Sequence, residues 1–170
     1  MAEHRQDMIS TPLTGFYFSK LALISAQATP NGIEYDFANF DRWVETFQRA
    51  GLIGSIEGSH VLRREEDPDD PAPLKVDAHL LEDGKAVLKA LPADNPQAQT
   101  ALRPMLVALR RHLQQKGWLD FYYQHVLDEV DDKEMPLYRE YAALVHEAMP
   151  CPHHGCGRCS AGPKRLREEL

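Results

Sequence analysis

The sequence has no long apolar run, no excess of basic charge and no cysteine before position 151. Each absence closes off a class of protein. Crossing a bilayer takes roughly 20 consecutive apolar residues, and no stretch here approaches that, so no membrane partner is expected. The first ten residues, MAEHRQDMIS, lack the apolar core of a signal peptide, and a cytoplasmic location is the expectation for the chain as given. The formal net charge is −7, with 19 Lys+Arg against 26 Asp+Glu, which disfavours a nucleic-acid partner because phosphate binding needs a basic face. The three cysteines, Cys151, Cys156 and Cys159, form an odd, terminal cluster and not the disulfide framework of a domain.

What is present is ordinary for a globular chain: 170 residues, 43% hydrophobic and 26% charged, enough for one domain with a core. Residues 14–26, TGFYFSKLALISA, are rich in aromatic and aliphatic side chains and predict a strand. Pro30-Asn31-Gly32 is a turn. Phe40, Trp43, Val44 and Phe47 then recur at helical spacing, so a helix is expected from Ala38 to Ala50, started by Asp36 or Asn39 and stopped by Gly51. Leu52–Ile56 reads as a short buried strand, with Glu57-Gly58-Ser59-His60 after its end. The charged, proline-rich segment from Arg63 to Pro73 reads as an exposed loop. Weak alternation across residues 74–91 around Asp83-Gly84 fits a hairpin inserted there.

A second helix is expected from Pro96 to Lys116, with Leu102, Leu106, Leu109 and Leu113 inward. Pro104 either kinks it or moves its start. Phe121–Glu129 reads as a buried strand ending in the acidic pair Asp128-Glu129, and a third helix follows from Met135 to Ala148. Strands separated by helices return to the same edge and run parallel. The expected fold is therefore α/β, a partial (β/α)₈ barrel with an inserted loop and hairpin over residues 1–150. A full barrel needs about 250 residues. A small self-contained α/β sandwich is the competing architecture. An open barrel edge would invite self-association.

Ligand and catalytic groups in parallel α/β folds gather at the carboxyl ends of strands. Asp128 and Glu129 are placed there. Adjacent carboxylates raise each other's proton affinity, the condition a general acid needs in glycoside hydrolysis. The plainer alternative is a solvated acidic loop whose charges favour the start of the next helix. Glu57 and His60 follow another strand, where Gly58 would let backbone approach a ligand; the alternative is a tight surface turn. Tyr122, Tyr123, Trp43 and Trp118 could stack on sugars, but aromatics at strand and helix spacing more often fill a core. His125, mid-strand, is more often a hydrogen-bonded core residue than a ligand.

The tail, residues 151–170, opens with CPHHGCGRC, three thiols and two imidazoles in nine residues. That set could hold zinc. Structural zinc sites usually draw on two separated pairs, so a loose tail without metal or other cofactor is the preferred expectation. A shifted reading frame through PHHGCGRC permits Arg-Thr-Met-Asp-Ala-Val-Asp-Ala, a credible barrel strand, so out-of-frame sequence is a further expectation for Cys151–Leu170.

The segments YDFANFDRWVETFQRAGLIGSIEGSH, Tyr35 to His60, and WLDFYYQHVLDEV, Trp118 to Val130, resemble the catalytic-domain pattern of glycoside hydrolase family 123. The resemblance spans about residues 14–150. It implies a (β/α)₈ barrel and retaining, substrate-assisted hydrolysis of β-N-acetylgalactosaminides, in which the sugar's own acetamido oxygen is the nucleophile. Carried onto this chain it implies Glu129 as general acid and base and Asp128 as the group that orients the acetamido. Glu57, His60 and Tyr123 would lie in the sugar site. The implied partner is a carbohydrate substrate, and activity of this segment by itself is not expected. A non-catalytic carbohydrate-binding module and a zinc-binding interaction protein are the other readings.

Overall fold

The structure, a computed structural model, describes residues 7–15, 21–51, 54–64 and 74–150. The Cys/His tail therefore lies outside the described residues, as do residues 16–20 of the expected first strand. Among the described residues the elements run β1 (Met8–Thr11), β2 (Ser25–Thr29), β3 (Gly32–Asp36), α1 (Ala38–Arg49), β4 (Ser55–Gly58), β5 (Arg63–Arg64), β6 (Leu74–Glu82), β7 (Lys85–Pro92), α2 (Pro96–Gln115), β8 (Tyr122–Gln124) and α3 (Met135–Ala148). A short 3₁₀ turn, Leu119–Phe121, precedes β8.

The mixed α/β architecture centres on a parallel sheet of three strands in the order β1-β4-β8. Parallel pairing demands a crossover between consecutive strands. α1 lies in the first crossover and α2 in the second. The register aligns Ser10, Glu57 and Tyr123 across the sheet, and Ile9, Ile56 and Tyr122 one residue earlier. Alternation puts these two rows on opposite faces. Ile9 and Ile56 are buried and belong to the same core as Phe40 and Val44 of α1 and Leu106, Leu109 and Leu113 of α2. The row containing Glu57 is left to face the other way.

The helices form where their apolar spacing places them. The Asp36 carboxylate accepts from Ala38 N–H at 2.9 Å, and Gly51, at φ +69°, turns the chain away after α1. Asn95 caps α2 by accepting from Gln97 N–H at 2.9 Å. Pro104 sits inside an unbroken α2 on its exposed side, where a carbonyl that has lost its partner can bond water. In α3, Tyr141 and Leu144 turn inward, and the Tyr141 hydroxyl donates to Ala93 O at 2.9 Å.

The hairpin of the insertion is as expected. β6 and β7 pair antiparallel from Glu82↔Lys85 outward, and Asp83 (φ +48°) and Gly84 (φ +72°) make the two-residue turn with positive φ at both positions. Arg63-Arg64, expected in the loop, pairs instead with Leu74-Lys75 as β5 at the edge of this sheet.

Three expectations need correction. The first strand is Met8–Thr11, not 14–26: residues 14, 15 and 21–24 are not strand, and Ser25–Thr29 pairs antiparallel with Gly32–Asp36 around the Pro30-Asn31 turn. Of the strand read at Leu52–Ile56, residues 52 and 53 lie outside the described residues; the described strand is Ser55–Gly58, so Glu57 and Gly58 belong to it and do not follow it. The strand read over Phe121–Glu129 is three residues long, Tyr122–Gln124, because Leu119–Phe121 coils as a 3₁₀ turn and the β1-β4 ladder beside it ends at Gly58.

Candidate active site

β4 and β8 deliver their side chains in register, Glu57 beside Tyr123 and Gly58 beside Gln124. Beyond the strand ends the two chains stay together. His125 N–H reaches Gly58 O at 3.4 Å, Val61 N–H donates to His125 O at 3.0 Å, and Leu62 N–H donates to Val126 O at 2.8 Å. The stretches Gly58–Leu62 and His125–Val126 are thus zipped side by side, which brings together the segments that carry the two sequence-predicted motifs.

Gly58 makes a close approach possible between the two segments of the protein itself. A Cβ at position 58 would run into the Tyr122 hydroxyl and stand 2.7 Å from Gln124 Oε1. That hydroxyl donates to Gln124 Oε1 at 2.7 Å, and Gln124 Nε2 donates to Ser59 O at 2.7 Å and to His125 O at 3.0 Å. Burial, with the Glu57 carboxylate adding to it, pushes the Tyr122 phenol well above its ordinary range, so it remains a hydrogen-bond donor. Tyr122 is a packing and bonding residue. Trp118 is buried and Trp43 donates to Ser10 O at 3.1 Å, so these two are structural as well. Tyr123, half-buried, is on the Glu57 face.

His125 is the residue that sequence reasoning set aside. It is half-buried beside the site and not in the core: its Nδ1 lies 3.7 Å from Glu57 Oε1, and its ring centroid is 4.2 Å from that of His60 and 5.7 Å from that of Tyr123. Burial against these neighbours and the adjacent His125 imidazole lower the proton affinity of His60, and Asp128 and Glu57 pull the other way, which places both carboxylates within electrostatic reach of one imidazole.

Asp128 and Glu129 stand four and five residues past the end of β8, on an exposed loop. The Asp128 carboxylate accepts from Glu129 N–H at 3.0 Å, and Glu129 adopts φ +48°, a left-handed conformation uncommon for a side-chain-bearing residue. Arg64 of β5 crosses to this loop. Its Nη2 donates to Asp128 O at 3.1 Å and to Glu129 O at 3.0 Å, and its guanidinium forks onto Glu134 at 2.8 and 2.6 Å. The Arg64 guanidinium holds the largely buried Glu134 carboxyl below its ordinary range. Glu134 Oε2 also accepts from Asp131 N–H at 3.1 Å, and Asp131 Oδ1 accepts from Lys133 and Glu134 N–H, both at 2.8 Å. Among the described residues no group of three or more His, Cys, Asp or Glu is arranged to hold a metal ion.

A Glu-His-His-Tyr cluster with Asp128 in electrostatic reach of His60, at the carboxyl end of a parallel sheet, is a layout suited to acid–base work on a polar substrate. The sequence pattern described as "Glycoside hydrolase 123, catalytic domain" matches residues 1–155. The chain belongs to the glycoside hydrolase 123 catalytic-domain family. No curated protein matches the sequence. Among solved structures, a family 123 glycoside hydrolase from Clostridium perfringens, described in the context of glycolipid glycan hydrolysis, has the same fold over 82% of this chain, with a TM-score of 0.54 and 16% identity. The match takes in 24% of that family 123 protein, so this chain spans about a quarter of the length of its solved relative.

Proposed function

We propose that this chain carries the acid–base side of a retaining, substrate-assisted β-N-acetylhexosaminidase site, of the N-acetylgalactosamine type. The observation that supports the reading is the backbone zipper between Gly58–Leu62 and His125–Val126, with Asp128 and Glu57 in electrostatic reach of His60 and Glu129 next along the chain. In this reading Glu129 protonates the leaving glycosidic oxygen while the acetamido oxygen of the sugar attacks C1, and the glycosidic bond breaks to leave a cyclic oxazolinium. Asp128 holds the acetamido group and offsets the positive charge that develops on it. Glu129 then takes a proton from the water that reopens the ring at C1. Glu57, His60 and Tyr123 contact the sugar.

The parallel order β1-β4-β8 with helices in both crossovers supports a place for these strands in a (β/α)₈ barrel, with residues 1–150 as the folded part. The isolated chain then turns substrate over slowly or not at all, because a site needs its whole constellation held to tight tolerance. Strands β1 and β8, the outer members of this sheet among the described residues, are where it self-associates.

The test uses an aryl β-N-acetylgalactosaminide and a family member that covers the whole catalytic domain. Changing the glutamate that matches Glu129 to glutamine is expected to lower kcat by about 10²–10⁴-fold; an unchanged rate removes the acid assignment. On the chain itself, N-acetylgalactosamine is expected to shift the NMR signals of Glu57, His60 and Tyr123. Binding to the complete family member without hydrolysis would favour a carbohydrate-binding scaffold.

A further inference from the structure

We infer that Arg64 is a positioning residue for the acidic pair, a role that rests on the proposed function of Asp128 and Glu129 and adds a residue to it. Both side chains are exposed, so packing does not orient them. Their direction is set by the backbone, and Glu129 sits in a conformation that a free loop would seldom keep. Arg64 Nη2 bonds the carbonyls of both residues. These are consecutive carbonyls on either side of the Glu129 backbone, so one guanidinium fixes the peptide planes from which both acids project.

The guanidinium is itself fixed. Its Nε and Nη2 fork onto Glu134, a planar two-point match that an ammonium group cannot make. Glu134 is largely buried, and it closes the far end of the same loop through Asp131 N–H. Arg64 comes two residues after Leu62, the last residue zipped to Val126, so its place opposite Asp128, two residues after Val126, keeps the same register. The chain of support is then β4 to Leu62, Arg64, the paired carbonyls and Glu134. Arg63, the preceding residue, forks onto Asp77 at 3.0 Å from each of two nitrogens, which anchors the other side of β5 to the hairpin.

The experiment uses the full chain and Arg64→Ala, Arg64→Lys and Glu134→Gln, with thermal unfolding to show which variants fold. Amide hydrogen exchange is read at residues 129–134, and N-acetylgalactosamine binding is read by NMR titration. Charge-assisted hydrogen bonds of this kind correspond to about a tenfold change or more. Arg64→Ala is therefore expected to speed exchange in the loop by at least that factor and to weaken sugar binding comparably. Added methylguanidinium should restore both, whereas Arg64→Lys should not, since a single ammonium nitrogen cannot make both legs of the Nε and Nη2 fork on Glu134 while reaching the two carbonyls. Should Arg64→Ala not fold, Glu134→Gln, which removes only the anchor's charge, is expected to give the same loop-confined effect at smaller size. Exchange at 129–134 that is unchanged in every folded variant, or restored fully by Lys, overturns the inference. Loop exchange that responds as expected in a chain that does not bind the sugar leaves the clamp standing and counts against the proposed function.

Discussion

Replacing Gly58 with alanine tests the packing that brings the two motifs together. The new methyl would overlap the Tyr122 hydroxyl and crowd Gln124 Oε1. Neither can retreat cheaply. The hydroxyl is held at 2.7 Å by Gln124, whose amide is in turn held by Ser59 O and His125 O. Forcing a methyl into a filled site costs about 1–3 kcal/mol. If the part-buried Tyr122–Gln124 bond breaks without water replacing it, a further penalty of about 1–3 kcal/mol follows. The expected total is about 2–6 kcal/mol, a large share of a typical stability of about 5–15 kcal/mol. Urea unfolding followed by circular dichroism measures it as a fall in the midpoint at unchanged slope. The decisive comparison is a double-mutant cycle. Tyr122→Phe removes the obstructing oxygen, so Gly58→Ala should cost less in that background by 1 kcal/mol or more, on the order of couplings between touching residues. Additive costs, or a Gly58→Ala penalty below about 0.5 kcal/mol, the range of neutral surface changes, would refute the account of why a glycine stands there.

Three further outcomes are expected. Tyr141→Phe should lower stability by about 1–3 kcal/mol in the same urea assay, because it leaves the buried Ala93 carbonyl without its donor. Burial lowers the proton affinity of His79, so the folded chain holds this imidazole neutral while the unfolded chain takes up a proton below about pH 6.5. Its contribution is complete above that pH and is lost as pH falls towards its depressed folded value; comparing urea midpoints between pH 7.5 and 5 for the wild type and His79→Leu should show a shallower acid slope in the variant. Gly84→Ala places a side chain at φ +72° in the tight hairpin turn and should cost about 1 kcal/mol or somewhat more, with no effect on the Tyr122 network.

The parts of the fold that were legible in the sequence are those whose local chemistry and tertiary role agree. α1, α2 and α3 follow from apolar residues at helical spacing, and Asp83-Gly84 announces its own turn. The parallel strands were harder. Met8–Thr11 and Tyr122–Gln124 are four and three residues long, too short for alternation to rise above noise. They are strands because β4 lies between them, a fact that no local window contains. The β2–β3 hairpin announced its turn at Pro30-Asn31-Gly32, but SAQAT and GIEYD are weakly apolar and their pairing was not read. At the site, Glu57, His60, Tyr123, Asp128 and Glu129 could be singled out by type and place. His125 and Arg64 could not, since what distinguishes them is what they touch across 60 or more residues of chain, Glu57 at 3.7 Å in one case and the Asp128 and Glu129 carbonyls in the other.

The β5–β7 insertion has one end tied and one end free. At its base Arg63 and Arg64 bind Asp77 on one side and the acidic loop on the other. At its tip Asp83 and Gly84 are exposed. For anyone building on this scaffold the two ends are not equivalent. A tag, probe or foreign loop spliced in at Asp83-Gly84 meets only solvent, while shortening the segment from its root removes a support of the very loop whose chemistry one would hope to keep. The insertion can grow outward without consequence, but it cannot be pruned to nothing.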